Sequence, residues 1–177
     1  MSGLRVPSET VVETAADMHA LGVELARVVG PGDLIVLSGP LGAGKTTLTR
    51  GLGEGLDVRG PVTSPTFVLA RTHPSLTGGS PLVHVDAYRL SSALELDDLD
   101  IDFARSVVVV EWGSGMLDGV AESWLEVDIE RPTGAAARDS AGLAGAGSAD
   151  TTELDSDEPR VVTVHGYGPR WGAAGSA

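Results

Sequence analysis

The chain contains no cysteine, which excludes disulfide staples and any thiolate nucleophile or metal ligand. Aromatic residues are only 4% of its 177 positions, so its core must be built from Val, Leu, Ile and Ala. No apolar run approaches the roughly 20 residues that cross a bilayer, and the opening MSGLRVPSET has no basic-plus-apolar leader pattern. The expectation is a soluble, cytoplasmic protein with no membrane partner. Positive charge is scarce as well. Twelve Lys and Arg stand against 25 Asp and Glu, for a formal net charge of -13. Gripping nucleic acid directly would require clustered basic residues, so this chain is not expected to do so alone. Lysine is all but missing: Lys45 is the only one, and the other eleven basic residues are arginine.

That solitary lysine stands in LSGPLGAGKTTLTRGL, Leu37 to Leu52. Gly39, Pro40, Leu41, Gly42, Ala43, Gly44, Lys45 and Thr46 satisfy G-x-x-x-x-G-K-[ST]. The glycines let backbone N–H groups turn inward around a β-phosphate, and the helix that follows points its N-terminus at the anion. Lys45 is placed to reach the β- and γ-phosphates, the Thr46 hydroxyl to ligate Mg²⁺, and Thr47 to touch the α-phosphate. A compact ammonium fits between phosphates where a planar guanidinium does not, which explains why an arginine-biased chain keeps a lysine here.

Around this motif the sequence reads as alternating strands and helices. TAADMHALGVELARVV places Met18, Leu21, Leu25 and Val28 at helical spacing, with Thr14 and Asp17 as a capping box. DLIVLSG is a strand apolar on both faces, as in a parallel sheet. A helix from Lys45 to about Leu56 follows the glycine loop, then PTFVLAR as a second strand. LVHVDAYRL is a third strand, ending near Asp86. ALELDDLDIDFA is expected as an acidic helix with Leu96, Leu99 and Phe103 inward. SVVVVEW is a central strand. SWLEVDIER alternates Leu125, Val127 and Ile129, predicting a half-buried strand nearer an edge, and RVVTVHG is the last. From Asp139 to Pro159 there are six acidic residues and no Lys or Arg. That stretch reads as a disordered insertion, at about 136–159, inside a terminal hairpin. The expectation is one α/β domain over residues 1–177: a three-layer P-loop NTPase architecture with a mixed, mainly parallel sheet and a short flexible C-terminal tail.

A P-loop needs a carboxylate at the end of a neighbouring strand to hold Mg²⁺ or its water. Asp86 after LVHV and Glu111 after VVVV are the two candidates, one to complete the metal shell and one to orient the attacking water. Spacing does not assign which does which. VTSPTF, Val62 to Phe67, is either an ordinary turn or a loop whose threonine senses the γ-phosphate. His84 shares a strand face with Asp86, where a histidine is more often a satisfied core residue than a base. Trp112 either shelves a nucleotide or partner, or is core.

Taken together, GPLGAGKTTLTRGL, SPTF, HVDAYRL and VVVVEW resemble, in order and approximate spacing, the TsaE (YjeE) family. The likeness covers about residues 10 to 134 and resumes at the last strand. It implies a small bacterial P-loop ATPase of tRNA threonylcarbamoyladenosine synthesis that associates with the TsaB–TsaD heterodimer. In that family TsaD modifies adenosine 37 of tRNAs reading codons that begin with A, and the ATP cycle resets the complex. Carried over by motif, Lys45 and Thr46 bind phosphate and Mg²⁺, Glu111 is the second protein ligand of the metal, and Asp86 is the other essential carboxylate. Thr66 matches a switch-like threonine, and Trp112 follows the metal glutamate as in relatives. Thr14 and Ala15 match a segment near the adenine, and Gly134 a nucleotide-side loop. Pro40 replaces a frequent Asp without touching phosphate. The insertion leaves open whether Arg138 or Arg160 matches the basic residue of the hairpin. The resemblance implies contact with tRNA only through the partners.

Three other readings compete. A small-molecule kinase of the same fold needs lid arginines over an acceptor, for which Arg71, Arg89 and Arg105 are the few candidates. A GTPase reading guanine through N-K-x-D needs a second lysine, which the chain lacks. A non-catalytic nucleotide sensor would not need both Asp86 and Glu111.

Overall fold

A computed structural model describes residues 4–65, 68–112, 121–131 and 158–172. The expected insertion and C-terminal tail fall almost wholly outside them. Ser8–Val12 form strand β1, which leads into helix α1, Ala15–Ala26. The capping box is made in full: Asp17 N–H donates to Thr14 Oγ1 at 3.1 Å, and Thr14 N–H to Asp17 Oδ2 at 3.0 Å. Strand β2, Leu34–Ser38, runs through the glycine loop into α2, Lys45–Gly55. Then come β3 (Ala70–His73), β4 (Leu82–Asp86), the short helix α3 (Ala93–Asp97) and β5 (Val107–Glu111). Strands β6, Trp124–Glu130, and β7, Arg160–Tyr167, complete the order.

The seven strands make one sheet, ordered β1-β7-β6-β2-β5-β4-β3. Its four middle strands, β6, β2, β5 and β4, run parallel, while β7 and β3 flank them antiparallel and β1 pairs antiparallel with β7. This is the mixed, mainly parallel sheet of the expected α/β class. Strands β4 and β5 are buried at every position, because apolar layers cover both faces. On one face Met18, Leu21 and Leu25 of α1, with Leu48 and Leu52 of α2, pack on Ile35, Leu37, Val109 and Val127. On the other, Leu90 and Leu96 close over Val36, Val83, Val85, Val108 and Val110, with Leu99 and Phe103 partly buried beside them.

The two helices of the first layer cross very closely. A Cβ on Gly22 would sit 2.2 Å from the Leu48 carbonyl oxygen, and one on Gly51 would sit 2.0 Å from that of His19. Only glycine permits that approach.

Four expectations change. Strand β1 went unread because its burial does not alternate: of its five residues only Val12 is buried. The second strand begins at Ala70, not Pro65, and Leu69 just before it takes a positive φ of 62°. The acidic helix stops at Asp97, and Asp100 follows at φ 52°. A residue in the left-handed region does not continue a right-handed helix, so Asp100 ends any extension of α3 toward Phe103. Strand β6 is third of the seven strands, between β7 and β2. It is half-buried because Leu125, Val127 and Ile129 face the helices while Glu126 and Asp128 face away.

Candidate functional site

Parallel strands put their carboxyl ends at one sheet edge, where open α/β sheets hold ligands. At that edge β2 ends in the glycine loop, β4 in Asp86 and β5 in Glu111. Leu37 pairs with Glu111 across β2 and β5, and Glu111 with Asp86 across β5 and β4. The two carboxylates therefore lie on adjacent strands, whose spacing is about 4.8 Å. Both are buried, at 5% exposure. Because β1 runs the same way as β2, Thr14 and Ala15 also follow a strand end at this edge.

The loop is built for close approach. Gly39, Gly42 and Gly44 have φ of 148°, 73° and 109°. A Cβ on Gly39 would meet the Ile129 carbonyl oxygen at 2.7 Å, and one on Gly42 the Arg131 guanidinium at 2.8 Å. Gly44 caps α2 with no side-chain hydrogen bond, and no acidic residue occupies the first turn. The first N–H groups of α2 thus have no capping side chain, unlike those of α1. Such an end attracts an anion. Pro40 and Leu41 are exposed on the rim, while Ala43, Thr46 and Thr47 are buried beneath it.

Lys45 folds back into the loop it closes. Its Nζ donates to the carbonyl oxygens of Gly39 at 2.9 Å and Pro40 at 3.0 Å, and lies 4.2 Å from the centre of the Trp112 ring. Trp112 takes a positive φ of 62°, an uncommon conformation for so bulky a residue. Its N–H donates to Leu37 O at 3.2 Å, and Tyr88 packs edge-on against its ring at 5.8 Å. Trp112 is therefore an exposed wall of the site and not core.

Asp86 has a structural task beside any chemical one: its Oδ1 accepts from Tyr88 N–H at 3.0 Å and caps the turn Ala87–Arg89. Glu111 meets His84. The imidazole Nε2 lies 2.7 Å from Glu111 Oε1, with His84 wholly buried. Thr46 and Glu111 offer hard oxygens of the kind Mg²⁺ takes. Among the described residues no group of three or more acidic, His or Cys side chains forms a cage. Mg²⁺ fits such a sparse set, since it keeps waters and uses substrate phosphates as ligands.

Arg131, the residue after β6, went unread in the sequence. Its Nη2 donates to Gly42 O at 2.8 Å and Leu41 O at 3.3 Å, bracing the loop from the neighbouring strand. The only available signal was its place one residue past a strand end. Arg160 is buried at the start of β7, and its pKa is lowered by that burial and then by the Arg131 charge. Thr66, Gly134 and Arg138 lie outside the described residues. Of the lid candidates, Arg71 is held at the edge strand by Thr63, Arg105 precedes β5 at the opposite end of the sheet, and Arg89 closes the turn that follows β4 at the same end as the glycine loop.

The family model for threonylcarbamoyl adenosine biosynthesis protein TsaE matches residues 12–139. The chain belongs to the TsaE family. It is 54% identical over 160 residues to the tRNA threonylcarbamoyladenosine biosynthesis protein TsaE of Streptomyces coelicolor, covering 89% of this chain and 95% of that one. The Bacillus subtilis protein of the same name is 38% identical over 118 residues, 65% of this chain and 72% of the relative. Among solved structures, Bacillus subtilis YdiB superposes with a TM-score of 0.62 at 26% identity, covering 93% of this chain and 88% of that one. The TsaE match takes in the whole glycine loop, both strand-end carboxylates and Arg131.

Proposed function

We propose that this TsaE-family chain is a Mg²⁺-dependent ATPase acting on the TsaB–TsaD complex during formation of the threonylcarbamoyl group on adenosine 37 of tRNAs that read codons beginning with A. The family's name supports the pathway. The observation that carries the chemistry is the meeting, at one sheet edge, of a glycine cradle closed by Lys45 with two buried carboxylates. The family resemblance, not the geometry, supports the choice of partners.

In this reading Lys45 exchanges its two carbonyl partners for phosphate oxygens, a stronger, charge-assisted pairing. The α2 N-terminus and loop N–H groups hold the β-phosphate. Thr46 and Glu111 would hold Mg²⁺, which would supply charge neutralisation for the phosphates. Asp86, with one oxygen committed to Tyr88 N–H, keeps the other to orient the attacking water. The test is ATP hydrolysis by the purified chain, alone and with TsaB–TsaD from the same source. Weak activity that rises with the complex is expected; activity indifferent to it would reject the partner assignment.

Glu111→Ala separates the two carboxylates. It should reduce Mg²⁺-dependent hydrolysis by about a hundredfold or more, the scale of losing one electrostatic stabiliser. Nucleotide affinity measured in EDTA should hardly change. Intact hydrolysis in the variant would instead make Asp86 the principal metal carboxylate.

A further inference from the structure

Among the described residues the pairing of His84 with Glu111 has no counterpart elsewhere at this edge. The two residues are 27 apart in sequence, and Nε2 to Oε1 is 2.7 Å. His84 is fully buried; Leu82 and Asp86 flank it on its own strand face, and it pairs laterally with Val109 and Arg71. Its other ring nitrogen, Nδ1, has no hydrogen-bond partner. An apolar side chain would fill this place without leaving a polar atom unmatched, and packing alone does not call for an imidazole. Among the described residues His84 is also the only group that hydrogen-bonds the Glu111 carboxylate.

We propose that His84 is a positioning residue for Glu111: its Nε2–H binds Oε1, fixes the carboxylate rotamer, and commits the second oxygen to a divalent cation. This rests on the reading of Glu111 as the metal carboxylate. A carboxylate oxygen only accepts, so Nε2 carries the proton in this bond. Partners behind a metal's direct ligands act in this way generally, and removing one weakens metal affinity by about 10- to 100-fold. Strand geometry supplies the precision. His84 and Glu111 sit on paired parallel strands of the sheet interior, where neither backbone can shift independently.

The experiment is calorimetric titration of ADP into the purified chain, once in excess Mg²⁺ and once in EDTA, with melting temperatures recorded. The ratio of the two affinities is the Mg²⁺ enhancement. His84→Leu should lower that enhancement about tenfold or more while leaving the EDTA affinity unchanged. His84→Gln, whose amide still offers a donor near the Nε2 position, should recover most of it. Should His84→Leu fail to fold, His84→Asn, whose shorter amide stops short of Glu111, takes its place with the same expected loss. Undiminished Mg²⁺ enhancement in the Leu or Asn variant would overturn the proposal. So would equal losses in Mg²⁺ and EDTA, or a Gln variant no better than Leu, because either describes a packing role. Glu111→Gln is titrated in parallel. If it too keeps the full enhancement, the failure lies in Glu111 as ligand, and the His84 proposal falls with it.

Discussion

Lys45→Ala should reduce ATP and ADP affinity by at least about a hundredfold, the largest effect expected of any single substitution at the site. A hydrogen bond to a charged group contributes about 1.5–3 kcal/mol, and the ammonium is expected to make at least two to phosphate. Their sum corresponds to a factor of roughly 10²–10⁴ in affinity. The loss should not come from unfolding. Nζ bonds the carbonyls of Gly39 and Pro40, on a half-buried and an exposed residue of the loop, and these can turn to water when it is removed. Lys45→Arg is the sharper companion. It keeps the charge, but the ammonium sits between two carbonyls and an indole 4.2 Å away, where a planar fork does not fit. Both variants should therefore lose affinity while melting near the wild type. Calorimetric titration with ADP decides it, and wild-type affinity in Lys45→Ala would reject the cradle.

Much of this site was legible because its parts are contiguous in sequence. The glycine loop, the strand before it and the helix after it lie between Leu34 and Gly55, and each local signal agrees with the next. Asp86 and Glu111 were legible as strand ends because the runs before them are apolar. Their adjacency was not, since it depends on strand order, and β5 lies between β2 and β4 only in the folded sheet. The same holds for His84. Its partner lies across a strand boundary, so on sequence grounds it looked like a core histidine. Arg131 was hidden for a related reason: it reaches the loop from a strand that pairs with β2 across some 90 residues of chain. The acidic helix was over-read because apolar spacing at Leu96, Leu99 and Phe103 persists after the helix ends. Leu99 and Phe103 are still packed against the sheet, but by the loop after α3.

Gly51→Ala should destabilise the fold by about 3 kcal/mol or more, against what helix propensity alone predicts. In an exposed helix the change would stabilise by about 1 kcal/mol. Gly51 is not exposed: the added Cβ would stand 2.0 Å from the His19 carbonyl oxygen and 2.8 Å from its carbon, both backbone atoms of α1. No rotamer change relieves a clash with backbone, so the helices must separate. Nor can they do so freely, because Gly22 seats α1 equally tightly on Leu48 and Leu52, and both leucines are buried in the shared core. Overpacking of this kind costs about 1–3 kcal/mol, and more where the neighbours cannot move. For a chain of this size the melting temperature should fall by roughly 2–4 °C per kcal/mol. Gly30→Ala is the matched control, since its Cβ would meet nothing within 4 Å. It should leave stability unchanged or slightly raised. The clash also has a functional reading. Helix α2 carries Lys45 and Thr46 on its first turn, so displacing it from α1 tilts the cradle against the fixed carboxylates of β4 and β5. Gly51→Ala should then weaken nucleotide binding even at temperatures where it is fully folded, though Gly51 itself lies beyond the first turn of α2. A variant that melts like the wild type would mean that the two helices are not seated on glycine as closely as described. One that melts lower yet binds ADP normally would show that the cradle is positioned by its strand and not by its helix.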